Sequence, residues 1–407
     1  MFKLSSKLLW RLQRWIRQTW ARVVGFALLA LLSAALAPWL APLVPDDIAN
    51  RIGSVAVGEI LTILASSMLA VTTFSLSIAV SAFAAAASTA TPRATALLQE
   101  DPATQNVLAT FLGAFLFSLL GLIALRTELY DRDGRLVLFL VTLLVVTMVI
   151  LALLRWITHL MSFGRMADTL DRVERAAMHS LRQRLANPWL GGQPWDGPIP
   201  GDAVAVLSGS TGYVQHVDMS ALAHAVAGTE ADLYLVALPG TFVHEAAPLV
   251  HVRGIAAAEI RGASIRSAFT VAHERTFDQD PRFGLIVLAE IASRALSPAV
   301  NDPGTAISVI GRLVRVLSDW KAPPAPVIEF PAVCVPTIQA TDMIEDAFRP
   351  IARDGGHFIE VQVHLQKALT ALAEISPKVF NEAVPPMQRY ASARAPSSDM
   401  YANGPQA

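Results

Sequence analysis

Residues 59–93 read EILTILASSMLAVTTFSLSIAVSAFAAAASTATPR, and no charged residue stands between Glu59 and Arg93. A helix of that length, at about 1.5 Å per residue, outruns a bilayer core of about 30 Å. The stretch therefore predicts a transmembrane helix whose far end tilts or protrudes. Thr62, Ser66, Thr73, Ser77, Ser81 and Ser88 fall within roughly a 100° arc of such a helix. Two readings of that stripe stay open. It can line an aqueous path. It can equally let helices approach closely, with the hydroxyls bonding across the contact or back to their own helix. Glu59 is either a helix-start charge favoured by the dipole or a charge at a vestibule.

The rest of the chain fits around that helix. Of 407 residues, 53% are hydrophobic and only 16% charged, against roughly 25% charged in soluble domains; the mean hydropathy is +0.46. The charge deficit lies in the first 160 residues. Further spans are expected over Val23–Val44, Val107–Leu125 and Leu136–Ile157, each close to the 20 residues a span needs. Ala35-Leu36-Ala37 resembles a signal cleavage site. The basic region before it is too long, so Val23–Val44 is read as a retained span. Gly113, Ala114, Ser118 and Gly121 give the third span a surface for close packing. No span carries an ionisable residue near its centre, which argues against a proton relay.

Basic residues set the orientation. Lys3, Lys7, Arg11, Arg14, Arg17 and Arg22 precede the first span, and Arg155, Arg165, Arg172 and Arg175 follow the fourth. Both termini are expected on the cytoplasmic side of the membrane. Residues 1–22 pattern as a basic amphipathic helix lying on anionic lipid, or as a simple positive-inside flank.

The expected organisation is a mainly α membrane protein joined to a cytoplasmic α+β region, a small β module followed by a helical domain. After the 1–22 helix come a four-helix transmembrane domain at 23–160 and a connecting helix at 161–186 that continues the fourth span. Met166, Leu170, Val173, Ala177, Leu181 and Leu185 form a stripe on that connecting helix. It needs a partner: another subunit or the following domain. A Pro- and Gly-rich linker spans 187–200, a β-rich module 201–262, a helical domain 263–394 and a disordered tail 395–407. Asp101-Pro102, Asp280-Pro281 and Asp302-Pro303 each read as a helix start, because Asp accepts free N–H groups and Pro loses none at the next position.

Motifs for chemistry are sparse. With one cysteine, Cys334, an intrachain disulfide and four-cysteine zinc sites are excluded. The histidines lack metal spacing, and no metal, cofactor or catalytic residue is assigned. Gly209-Ser210-Thr211-Gly212 lacks a following lysine and helix, so it reads as a hairpin turn rather than a phosphate loop. A net charge of -1 offers no field for nucleic acid. The densest polar residues are Glu274, Arg275, Gln279 and Asp280, then Arg294, Ser297, Asn301 and Asp302. They could gather as one polar cluster, in which Asn301 or Arg294 meets Glu274, Arg275 or Asp280. A corner between two helices accounts for Ser297-Pro298 and Asp302-Pro303 without a ligand.

Gly212-Tyr213-Val214-Gln215, Pro239-Gly240, Glu274-Arg275-Thr276, Gln279-Asp280, Phe283-Gly284, Ala295-Leu296-Ser297-Pro298 and Asn301-Asp302-Pro303 with Thr305-Ala306 carry a resemblance. The chain is similar to a family of predicted bacterial inner-membrane proteins classed as a domain of unknown function. The resemblance implies four N-terminal spans and a membrane location. The functional expectations are two. One is an oligomeric, channel-like permeation protein gated by its cytoplasmic domain. The other is a non-conducting scaffold or sensor whose cytoplasmic module binds a ligand or protein. The expected partners are the lipid bilayer, further copies of the chain and that cytoplasmic ligand or protein.

Overall fold

The computed structural model describes residues 24, 25, 28, 32, 54–99, 101–127, 132–161, 164–321 and 327–395. The basic helix expected at 1–22, most of the span expected at Val23–Val44 and all but the first residue of the 395–407 tail lie outside them. The described residues form two compact units.

The first unit is apolar. It holds α1 (Ser54–Thr89) up to Ser88, α3 (Pro102–Arg126) and α4 (Arg132–Leu160). Each contains a stretch long and apolar enough to span a bilayer: Val57–Ser88, Pro102–Arg126 and Val137–Leu160. The 36 residues of α1 measure roughly 54 Å, against a core of about 30 Å. Its buried residues Val57, Leu61, Leu64, Met68, Ser75, Ala79 and Ala86 recur at spacings of three, four or seven positions, those of a helix-packing seam. Val57 to Met68 join Val107, Phe111, Ala114 and Phe117 of α3 and Leu138, Val145, Val149 and Trp156 of α4 in one cluster. Water is absent from a bilayer core, so close van der Waals fit holds such helices together. At Gly121 an added Cβ would stand 3.2 Å from a Leu61 methyl and 3.6 Å from a Leu138 methyl. Asp101 caps α3 as its Asp-Pro pair predicts, taking the Thr104 N–H at 2.7 Å. The same carboxylate reaches His159 Nε2 at 3.1 Å.

The connecting helix does not simply continue α4. A break separates Leu160 from α5 (Met166–Ala186). Gly164 in the break takes φ +78°, and a Cβ there would come within 2.9 Å of the Ala82 Cβ. A left-handed residue ends a helix, and glycine adopts it without penalty.

The second unit takes in Thr89–Ala94 and the chain from Thr169. Short α2 (Pro92–Gln99) starts within it. The strands are β1 (Gly192–Pro194), β2 (Val204–Leu207), β3 (Gly212–Val217), β4 (Asp232–Leu235), β5 (Phe242–Val243), β6 (Pro248–Arg253), β7 (Phe269–Ala272) and β8 (Phe330–Val335). Five make a mixed sheet in the order β1-β8-β4-β6-β2, and three make a second sheet, β5-β3-β7. β8 runs parallel to both β1 and β4, whereas β6 pairs antiparallel with β4 and β2. Val206, Leu233, Leu235, Val250, Val252, Val333 and Val335 pack with Val214, Val217 and Phe269 of the second sheet. Leu222 of α6 (Met219–Ala225) joins them.

The sequence separates 187–200 as linker, 201–262 as β module and 263–394 as helical domain. In the structure these stretches share one sheet. Gly192–Pro194, inside the expected linker, is an edge strand, and β8 from the helical stretch is its inner neighbour. Gly192 lies so close to β8 that a Cβ would meet the Val333 carbonyl at 2.5 Å. Cys334 sits buried in β8, and burial pushes its thiol up to about 11.

After short α7 (Gly262–Ser267), the helices α8 (Phe283–Ala295), α9 (Pro303–Ser318), α10 (Ala340–Asp354), α11 (Ile359–Ile375), α12 (Pro377–Phe380) and α13 (Val384–Ser392) pack together. A turn at 381–383 separates α12 from α13. The stripe on α5 finds its partner within this same unit. Leu170, Val173, Ala177 and Leu181 are buried, and a Cβ on Gly284 of α8 would fall 2.3 Å from the Ala177 Cβ.

Candidate functional site

The loop from His273 to Arg282 leaves β7 and leads into α8. Two side-chain amides clip it onto β3. Gln215 donates through Nε2 to the Glu274 carbonyl at 2.7 Å, and the Val217 N–H donates to Gln279 Oε1 at 3.0 Å. The loop then turns Asp280 inward, where it is 3% exposed. Its Oδ2 takes both Nε and Nη2 of Arg275, at 2.8 and 2.6 Å. Its Oδ1 takes the N–H groups of Arg282 and Phe283, at 3.1 and 3.2 Å. Asp280 therefore caps the entry to α8, as its Asp-Pro pair suggests, but the helix itself begins three residues later. The other half of the carboxylate holds an arginine instead.

A second arginine approaches from α5. Arg184 is 3% exposed and donates through Nη2 to the Gln279 carbonyl at 3.0 Å. Burial pulls its pKa down to about 10, with the Asp280 charge opposing. Burial pushes the Asp280 carboxyl up, and Arg275 opposes. Pro239-Gly240 closes the other side. Gly240 takes φ +92°, and a Cβ there would fall 2.2 Å from Asp280 Oδ2 and 2.9 Å from Arg275 Nη2. Only glycine satisfies both the backbone and the space.

A cleft of about 230 Å³ opens over this network, lined by Gly240, Thr241, Arg275, Arg282, Thr337 and Asp342 among others. Arg282 is fixed by Asp346 at 2.6 Å and Asp342 at 2.9 Å. With four donors on Asp280, the carboxylate is committed to holding the loop. The cleft offers guanidinium and hydroxyl groups to a small polar ligand.

The structure divides the expected polar cluster. Glu274, Arg275, Gln279 and Asp280 come together, Glu274 through its carbonyl alone. Ser297, Asn301 and Asp302 form the corner between α8 and α9. Ser297 Oγ donates to the Arg294 carbonyl at 2.7 Å. Asn301 takes φ +52° and donates its N–H to the Ser297 carbonyl at 2.8 Å. Asp302 caps α9 through Thr305, at 3.0 Å to N and 2.6 Å to Oγ1. The hydrogen bonds with Thr305 hold its carboxyl below the usual range. Asn301 and Asp302 are exposed. The expected meeting of Asn301 with Glu274, Arg275 or Asp280 gives way to a left-handed turn that sets the side chain in solvent. Arg184 is the residue that sequence reasoning passed over. Its signal was a lone charge continuing the apolar series Leu170, Val173, Ala177, Leu181 at helical spacing.

The hydroxyl stripe of α1 is the second candidate. All six residues are exposed, and each hydroxyl donates to a carbonyl of its own helix. Thr62 reaches Gly58 at 2.8 Å, Ser66 Thr62 at 3.0 Å, Thr73 Leu69 at 2.9 Å, Ser77 Thr73 at 3.0 Å, Ser81 Ser77 at 3.0 Å and Ser88 Ala85 at 2.7 Å. At about 100° per residue, the mean direction of this stripe lies about 180° from that of the buried seam. Exposed Glu59 falls on the same phase.

Long apolar helices joined to a mixed α/β unit define a membrane protein with a substantial polar region. A family model described as "Predicted membrane protein (DUF2254)" matches residues 16–371. The chain belongs to that family. Uncharacterized proteins of Mycobacterium bovis and Mycobacterium tuberculosis are each 32% identical over 230 residues. That match covers 54% of this chain and 43% of each relative, so the match spans less than half the length of the curated relatives. No solved structure matches the chain significantly.

Proposed function

We propose that several copies of the chain assemble in a bacterial inner membrane with the hydroxyl faces of α1 turned toward one another. They enclose a permeation path, which the cytoplasmic α/β unit gates. One observation carries the reading: the polar face of α1 is opposite the seam by which α1 packs into its own bundle. A face needed only for packing within the chain would be buried there. The basic residues before the first expected span and after α4 support a cytoplasmic position for the α/β unit. Glu59, on the phase of the stripe at its far end, would ring the mouth with carboxylates and favour cations.

The test is conductance of the full chain in planar bilayers. Ion flow is expected, with a reversal potential displaced toward cations in a KCl gradient. Ser77→Leu is expected to reduce the flow about tenfold or more by narrowing and dewetting the path. Absence of flow under both voltage and tension would contradict the reading. Flow with a reversal potential that ignores Glu59→Gln would remove only the role of Glu59.

The cleft over Arg275 and Asp280 favours a second reading, a non-conducting sensor or scaffold whose cytoplasmic unit binds a small polar ligand or a protein. A stoichiometric partner recovered with the full chain from gently solubilised membranes, together with silent bilayers, would select it.

A further inference from the structure

The side chains of α5 and α9 border an open groove of about 700 Å³ that lies apart from the Arg275–Asp280 cleft. Its charges are Arg175 and Arg182 on α5 and Arg312 and Arg315 on α9, set against Asp171 and Glu174. Four guanidinium groups thus face two carboxylates. The α9 pair is fixed in place. Arg312, 12% exposed, reaches Asp171 and Glu174 at 2.5 Å each. Arg315 grips Glu174 with Nε at 2.6 Å and Nη2 at 3.0 Å. The hydrogen bond from Arg315 holds the Glu174 carboxyl below its usual range, with burial opposing.

Within the α5 pair, Arg175 supplies the surplus charge. Among the described residues Arg175 has no carboxylate partner, and its Nε donates to the Asp171 carbonyl at 3.1 Å. Arg182 pairs with Asp319, outside the lining. Arg175 and Arg182 stand seven residues apart, two turns along one face. The groove therefore has an ordered arginine wall and a second wall of accessible arginines. Asp171 and Glu174 hold Arg312 and Arg315 in place and balance their charge, Asp319 balances Arg182, and among the described residues of the groove the one positive charge left over is that of Arg175.

We infer that this groove binds a phosphate group. Guanidinium forks match the paired oxygens of a phosphate, and two walls can grip it from both sides. The phosphate can belong to an anionic lipid headgroup or to a soluble phosphate. α5 begins six residues after the apolar helix α4 ends, and juxtamembrane arginines commonly hold anionic headgroups.

The experiment uses the full chain in neutral detergent. Native mass spectrometry compares dioctanoyl phosphatidic acid with dioctanoylglycerol, which has the same chains and no phosphate. Calorimetry at matched ionic strength follows inorganic phosphate. Preferred binding of the phosphatidic acid, weakened about tenfold or more by R175A/R182A, supports a lipid headgroup. Binding of inorganic phosphate with the same loss supports a soluble source. R175K/R182K is expected to keep most of the charge-driven binding while losing the fork, and an unchanged melting curve excludes misfolding. Equal binding of the two lipids with no phosphate binding overturns the inference. So does binding that R175A/R182A leaves unchanged in a folded chain.

Discussion

The stripe on α1 and the network around Asp280 both place polar groups where water is scarce or would be, and they satisfy them in opposite ways. Each hydroxyl on α1 bonds three or four residues back along its own helix. Asp280 and Arg184 draw their partners from α5, from the loop and from the start of α8. A locally satisfied polar face asks nothing of its neighbours, so it can meet lipid, water or another copy without breaking a bond. A network assembled from distant segments exists only while they stay together, and each member becomes a buried, unsatisfied charge when another is removed. The first arrangement suits a working surface and the second a fixed frame.

Substitutions test that contrast by size. Asp280→Ala should have the largest effect, because it strands Arg275 and removes the negative charge that opposes the burial of Arg184. A loss of about 3–5 kcal/mol is expected, seen as a large fall in the unfolding midpoint of the α/β signal by circular dichroism. A loss below 1 kcal/mol would mean that water already satisfies the arginines. Gly240→Ala comes next, at about 2–3 kcal/mol, from positive φ and the clash with Asp280. The double variant Gly240→Ala with Asp280→Ala should cost less than the sum of the two, since the clash disappears with the carboxylate. Removing the cap at Asp302 should cost about 1 kcal/mol. Because the folded-state pKa of Asp302 is depressed, that stability is present above its ordinary value of 3.8 and is lost as pH falls through the lower folded value. Ser66→Ala and Ser81→Ala should change stability by no more than about 0.5 kcal/mol. A larger change would show that the hydroxyls bond something besides their own helix.

The same contrast explains what could be read from the sequence. The uncharged length after Glu59, the Asp-Pro starts at Asp101 and Asp302 and the apolar stripe of α5 depend on residues within a turn or two of one another. Periodicity reveals them. The pairing of Gly192–Pro194 with β8 joins segments more than 130 residues apart, and three residues in a Pro- and Gly-rich stretch carry no strand pattern. Arg184 was visible as a charge on an apolar stripe, but nothing local indicates that it reaches the Gln279 carbonyl. The break at Gly164 follows from its left-handed backbone beside Ala82, a tertiary contact.

The central claim concerns which medium the hydroxyl face of α1 meets. Cysteines placed singly at Ser66, Ser77 and Ser81, and at Leu64 and Met68 on the seam, in a Cys334→Ser background would report it. The full chain in liposomes is exposed to a membrane-impermeant, water-soluble methanethiosulfonate, and labelling is read by mass. The account predicts rapid labelling at 66, 77 and 81 and protection at 64 and 68. Protection at all five positions, with labelling of the stripe only by a lipid-soluble maleimide, would contradict it and place the hydroxyls against lipid.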